Sequence, residues 1–232
     1  MSEVVNESLA QQLLDYLQRT VPHGHLLSSP LPEVEGKTAD MSLWLVDPSI
    51  MDARLSEEVI SAIFEEPAYW SFAWASGQAL ARQLLDTPEW VAGKTVLDFG
   101  CGSGIAAIAA AKAGAKRVIA CDLDPGALLS TRANAELNGV ELDYLDDFFA
   151  LEEPVDVLLA ADVLYDWENK PLLPKFLQQG KRVIIADSRV RDFSEPGYYH
   201  TGSMCAVTFP DLGEFEEFKT VNFYDSEPLA EA

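Results

Sequence analysis

The chain has 232 residues, of which 48% are hydrophobic and 23% charged; this suits a single globular unit and excludes a disordered or fibrous chain. Sixteen bases against 38 acids leave a net charge of −22, a surface that disfavours nucleic-acid backbones and favours basic proteins or cationic small molecules. Three scattered cysteines and three scattered histidines exclude a zinc ribbon, a disulfide scaffold and a histidine metal site.

In chain order, Leu9, Leu13, Tyr16 and Leu17 recur at helical spacing. The acidic start MSEVVNESLA fits neither a secretory signal nor a transit peptide, and no apolar run is long enough to span a membrane. The expected setting is therefore soluble, reducing and cytoplasmic. VPHGH and SSPLPEVEG predict loops, and Met41–Val46 predicts a strand stopped by Asp47-Pro48. Ser56 is placed to cap a helix through Phe64, with Glu57 and Glu58 in its first turn. Ser76 is a candidate cap for a helix whose Leu80, Leu84 and Leu85 share a face.

From Lys94 onward apolar strands and helices alternate. Lys94–Phe99 and Arg117–Cys121 read as buried strands. An Ala-rich helix from Ile105 to Ala113 ends at Gly114, and a helix capped by Asp124, with Pro125 at its first position, ends at Gly139. Val140–Leu145, Val155–Ala161 and Arg182–Ala186 are further strands, and Leu172–Gln179 is a further helix. The alternation implies an α/β fold with a doubly wound, mostly parallel sheet covered on both faces. Ser203–Phe209 and Phe218–Tyr224 break the rhythm and predict an antiparallel pair at its end. Residues 1–66 form an N-terminal helical and strand extension packed on the core, and 67–232 form the main domain.

The segment Val96-Leu97-Asp98-Phe99-Gly100-Cys101-Gly102-Ser103-Gly104 lies between a strand and a helix. Its glycines let the backbone approach a ligand, and the helix start offers free N–H donors. Dinucleotides and S-adenosylmethionine both use such a loop. Asp98 at the strand end would repel a pyrophosphate but suits an ammonium or sulfonium, which favours S-adenosylmethionine over a nicotinamide dinucleotide. Asp122 ends the next strand, 22 residues after Gly100, near the ~20-residue spacing of a ribose-hydroxyl ligand. Leu123 stands beside it. Asp146 or Asp147, after the third strand, is placed to accept from the adenine amino group.

VLDFGCGSG, ACDLDP, LDD and LLAADVLYD together resemble the class I, seven-strand S-adenosylmethionine-dependent methyltransferases. PAYWSFAWASGQALARQLLD and Asp162-Val163-Leu164-Tyr165 narrow the resemblance to the protein lysine methyltransferases that act on the electron-transfer-flavoprotein β subunit, relatives of which are labelled nicotinamide N-methyltransferase-like. The resemblance is good over roughly 67–190 and loose elsewhere. It implies a Rossmann-like fold, with S-adenosylmethionine bound by Asp98, Gly100, Gly102, Gly104, Asp122, Leu123 and Asp146 or Asp147. It also implies a Trp packed on the cofactor, Trp74 or else Trp70, and a substrate-amine site at Asp162 walled by Tyr165. The chain lacks the Pro-Pro of the Asn/Asp-Pro-Pro-Tyr/Phe motif, which lowers the case for an adenine or glutamine target.

Methyl transfer from a sulfonium is an in-line displacement that needs alignment and exclusion of water, with no covalent enzyme intermediate. The expected activity is methylation of lysine side chains on a basic protein. The alternatives are a small-molecule N-methyltransferase at the same site and a catalytically silent binding module. No nucleic-acid, membrane or metal partner is expected. Residues 1–66 carry 12 acids and 3 bases, and 191–232 carry 9 and 2, so both acidic zones are candidates to flank the substrate entrance.

Overall fold

A computed structural model describes residues 8–37, 39–164, 168–190 and 193–227. The first region holds helix α1 (Leu9–Leu17), the antiparallel pair β1 (Leu26–Pro30) and β2 (Ser42–Val46), and helix α2 (Glu57–Glu65). Ser8 and Ser56 cap the two helices, each accepting a backbone N–H within the first turn. β1 falls on LLSSP, whose last three residues lie in the stretch SSPLPEVEG that the sequence predicts as loop. It is a largely exposed strand ending in proline, so it carries neither the alternation nor the buried run that marks a strand.

The main sheet has seven strands in the order β5-β4-β3-β6-β7-β9-β8. β3 (Thr95–Phe99), β4 (Arg117–Cys121), β5 (Asp143–Leu145), β6 (Val155–Ala161) and β7 (Gly180–Asp187) run parallel. β8 (Tyr199–Cys205) and β9 (Thr220–Asp225) are antiparallel additions at the β7 edge. α3 (Ala75–Asp86), α4 (Ile105–Lys112), α5 (Pro125–Asn138) and α6 (Leu173–Gln179) accompany the sheet. Two apolar clusters contribute to the core: one joins Val96, Ile108, Leu159 and Ile184 with Leu80 and Leu84 of α3, and the other joins Leu97, Leu158 and Ile185 with Phe176 of α6. Two strand expectations shift. The Val140 run pairs only from Asp143, and the penultimate strand is 199–205 rather than 203–209.

The first region packs on the sheet domain through α5. Leu13, Leu17 and Val46 cluster with Trp70 and with Ala127 and Ala133 of α5. The Asn134 side chain accepts the Trp44 N–H at 2.7 Å and donates to the Ser103 carbonyl at 2.9 Å, so one amide ties β2 to the glycine loop.

That loop has a steric requirement at Gly104. Its φ is +78°, and an added Cβ would stand 2.7 Å from Thr131 Cγ2 and 3.1 Å from Thr131 Cα on α5. Left-handed strain of ~1–2 kcal/mol and overpacking of ~1–3 kcal/mol act together there. Gly104→Ala is expected to lower unfolding free energy in a denaturant titration by about 2–5 kcal/mol on those grounds. Unaltered stability would mean that α5 yields freely at this contact.

Among the described residues no helix is long and apolar enough to cross a membrane.

Candidate active site

Parallel strands present their carboxyl ends along one edge, and ligands of such sheets bind where the strand order reverses. Here that point lies between β3 and β6. The loops that follow β3, β4, β5, β6 and β7 all reach a cavity of about 820 Å³ at this edge, within the range of small-molecule sites. A Cβ on Gly100 would lie 2.8 Å from Val163 Cγ1, so the loops after β3 and β6 approach to the limit that glycine allows.

The β3–β4–β5 half is built as a cradle. Gly100 and Gly102 line the cavity at φ +68° and +52°, and a Cβ on Gly102 would meet only open space. The Gly100 and Cys101 N–H groups donate to the Cys121 carbonyl at 2.8 and 3.1 Å, pinning the loop to the end of β4. Asp122 faces the cavity, and its oxygens accept from Gly102 N at 3.0 Å and Asp124 N at 3.0 Å. Each oxygen keeps a further lone pair for a ligand hydroxyl. Burial raises the carboxyl pKa above its ordinary value, opposed by these backbone donors. Asp124 caps α5 through Gly126 N at 2.7 Å. Leu123 lines the cavity while remaining largely exposed, as does Phe149. Asp147 also lines it, with Oδ1 accepting from Phe149 N at 2.9 Å; Asp146 is not among the lining residues.

Asp98 and Gly104, both expected at the cofactor, are placed elsewhere. Gly104 is the N-cap of α4, packed against Thr131, outside the cavity lining. Asp98 is buried and also outside the lining; its carboxylate accepts the Ala107 N–H at 3.0 Å. Gly104 has no side chain to cap α4, so Asp98 satisfies one of its orphan donors from the neighbouring strand. Burial pushes the Asp98 carboxyl up from 3.8 to about 7. The folded chain therefore holds a proton that the unfolded chain has released between those values, and this site makes stability fall as pH rises through that window. Asp98→Asn cannot titrate. Its stability relative to the parent is expected to improve from pH ~4 to ~7, as read by denaturant midpoints across that range. A constant difference would contradict the assignment.

The β6–β7 half is shaped by Asp162, immediately after β6. This residue is 9% exposed, lines the cavity and adopts φ +50°, which is uncommon for a non-glycine residue. Oδ1 accepts from Ser76 Oγ at 2.6 Å, Ser188 Oγ at 2.9 Å and Ser188 N at 3.2 Å, while Oδ2 accepts from Ser76 N at 3.2 Å. Ser76 is not the cap of α3, contrary to expectation. Trp74 occupies that position, without a side-chain cap bond, and Asp162 supplies the acceptor from the end of β6. Trp74 and Trp70 both line the cavity. Trp74 Nε1 donates to the Tyr69 carbonyl at 2.8 Å, and Trp70 is buried edge-on to Tyr16. Tyr165, expected as a wall of the site, lies outside the described residues.

Sequence reasoning missed Ser188, Arg189 and Glu214. Ser188 and Arg189 follow β7 directly, the same carboxyl-edge position that marks Asp122 and Asp162, and that positional rule would have found them. Asp187, buried at the end of β7 with its carboxyl pushed up to about 6 by burial, accepts from Arg189 N at 2.8 Å and Val190 N at 2.7 Å and so shapes this turn. The Arg189 guanidinium pairs with Glu214 and lies over Phe218 and Trp74, 4.4 and 5.6 Å from their ring centroids. Glu214 also accepts from Thr208 Oγ1. Arg189, Glu214 and Leu212 line the cavity.

Two hydroxyl acceptor sites on Asp122, a glycine-bordered approach, an acidic acceptor at Asp147 and exposed Leu123 suit a ribose and adenine. Among the described charged residues of the lining, five carboxylates face one base, Arg189, which suits a cation better than a phosphate. The chain matches the family model of the ribosomal protein L11 methyltransferase over residues 78–183. It is 34% identical over 208 residues to the electron transfer flavoprotein beta subunit lysine methyltransferase of Xenopus laevis, spanning 86% of this chain and 83% of that protein. The protein of the same name from Danio rerio is 41% identical over 140 residues, 57% of this chain; the chain spans about half, 54%, of that relative's length. Among solved structures, magnesium protoporphyrin IX methyltransferase from Synechocystis PCC 6803 with bound S-adenosylmethionine aligns with a TM-score of 0.50 at 15% identity, over 75% of this chain and 85% of that one. That likeness bears on the fold.

Proposed function

Because the chain belongs to the class I S-adenosylmethionine-dependent methyltransferases, in the family of the electron transfer flavoprotein β-subunit lysine methyltransferases, we propose that it methylates lysine side chains of a protein. The cofactor supplies an electrophilic methyl group on a sulfonium. Gly100, Gly102, Asp122 and Asp147 hold it in the β3–β4–β5 half of the cavity, with Trp74 or Trp70 against it. The acceptor amine enters the other half, beside Asp162. The observation that carries this reading is the fixed Asp162 carboxylate, which opens into the same cavity as the glycine loop.

A lysine of pKa ~10.4 is neutral about one part in a thousand at pH ~7.4, a cost of roughly 4 kcal/mol. A carboxylate favours the ammonium and so does not itself promote that loss. With four hydrogen-bond donors already on it, Asp162 acts by orienting the amine through the remaining capacity of Oδ2. Desolvation by Trp74, Leu212 and Leu172 favours the neutral form of the amine.

The test is label transfer. Enzyme and radiolabelled S-adenosylmethionine are incubated with the electron transfer flavoprotein β subunit and, separately, with a lysate split into protein and small-molecule fractions. Label in protein is the expected result. Label confined to small molecules would replace the lysine reading with that of a small-molecule N-methyltransferase.

A further inference from the structure

We infer that the segment between β8 and β9, residues 206–219, is the docking surface for the protein that carries the target lysine; this rests on the lysine reading above. The segment is joined to the site at three points. Ala73 and Phe209 exchange backbone hydrogen bonds of 2.7 and 2.8 Å, setting it against the turn that carries Trp74. Glu214 pairs with Arg189, and Leu212 and Glu214 line the cavity. It therefore forms the outer wall of the β6–β7 half, on the side away from the cradle of Gly102 and Asp122.

Its outward face is unusual. Phe215 is 74% exposed, and Leu212 is exposed beside it. Tyr69, half exposed, lines the same cavity. One partly covered ring supports this face from within: Phe218 lies under the Arg189 guanidinium and 6.4 Å from Phe215. Exposed aromatic residues continuous with a site mark protein contacts, where they serve as anchors. Asp211, Glu216 and Glu217, all exposed, flank them; Glu216 pairs with Lys219, and the segment holds four acids against that one base. An apolar ridge within an acidic field fits a partner whose target lysine is flanked by an apolar side chain and further bases. The exposed Leu123 and Phe149 lie on the opposite, β4–β5 side of the cavity and do not belong to this surface.

The test measures binding directly. The 232-residue chain is immobilised and the flavoprotein β subunit is the probe, by surface plasmon resonance at ~0.01 M and ~0.15 M salt, where the Debye length falls from ~30 to ~8 Å. Phe215→Ala is expected to weaken binding at least about fivefold at both salt concentrations. Glu216→Gln/Glu217→Gln is expected to weaken binding more than about twofold at ~0.01 M salt and so to reduce the loss of affinity that salt causes in the parent. Neither change should alter S-adenosylhomocysteine affinity by calorimetry. If the β subunit is labelled by the parent enzyme yet both variants bind it within about twofold of the parent, the docking surface is refuted and the lysine reading stands. If the parent labels no protein, the lysine reading fails and takes the docking surface with it.

Discussion

Asp162→Asn is expected to cut turnover at least about tenfold, roughly 1.4 kcal/mol of barrier, with S-adenosylhomocysteine affinity retained. The fold should survive because asparagine is among the residues that tolerate the left-handed region in which Asp162 sits, at φ +50°. Asparagine keeps one acceptor oxygen for the Ser76 and Ser188 hydroxyls. Its amide, however, must present N–H groups where Oδ2 now accepts the Ser76 N–H. Two donors then face one another in a buried site, a cost of about 1–3 kcal/mol in stability, and the free edge of the carboxylate is lost to the substrate. Rate and melting temperature should therefore both fall, the rate by more than the melting temperature explains. A variant with parental turnover would remove Asp162 from the reaction and leave it only as the cap of α3.

The second large effect is on cofactor binding. Asp122→Ala removes a carboxylate that anchors Gly102 N and Asp124 N and offers its remaining lone pairs to the ribose. Charge-assisted hydrogen bonds contribute about 1–3 kcal/mol, so calorimetry with S-adenosylhomocysteine should show affinity weakened on the order of ten- to a hundredfold. The parent protein should give no isotherm with NAD. Unchanged affinity in the variant would place the ribose elsewhere, and a clear NAD isotherm without a response to S-adenosylhomocysteine would contradict the cofactor assignment.

What was legible in the sequence was local. Asp124-Pro125 and Gly139 bracket α5 because a cap, a proline and a left-handed glycine act within one turn of the chain. The glycine loop is legible for the same reason: strand, tight turn and helix start are contiguous, and Asp122 follows at a spacing set by one strand–helix–strand unit. Pairs made by sheet order were not legible. Asp162 and Ser76 are 86 residues apart, and their contact exists because β6 lies beside β7 and under the start of α3. Asp98 looked like a cofactor ligand from its place at the end of a strand, but its side chain turns to Ala107 because Gly104 leaves α4 without a cap of its own. Arg189 and Glu214 meet only because the 206–219 segment folds back to the carboxyl end of β7, and β1 is held by β2 rather than by its own pattern.

Transfer of a methyl group to lysine nitrogen is read from the chemical form of the product. The labelled flavoprotein β subunit is hydrolysed completely to amino acids, which are separated against standards. The label is expected to elute with methylated lysines, at a rate cut at least about tenfold when the Asp162→Asn enzyme is used. Label eluting with methylated arginine or glutamine, or recovered only from the small-molecule fraction, would contradict lysine methylation.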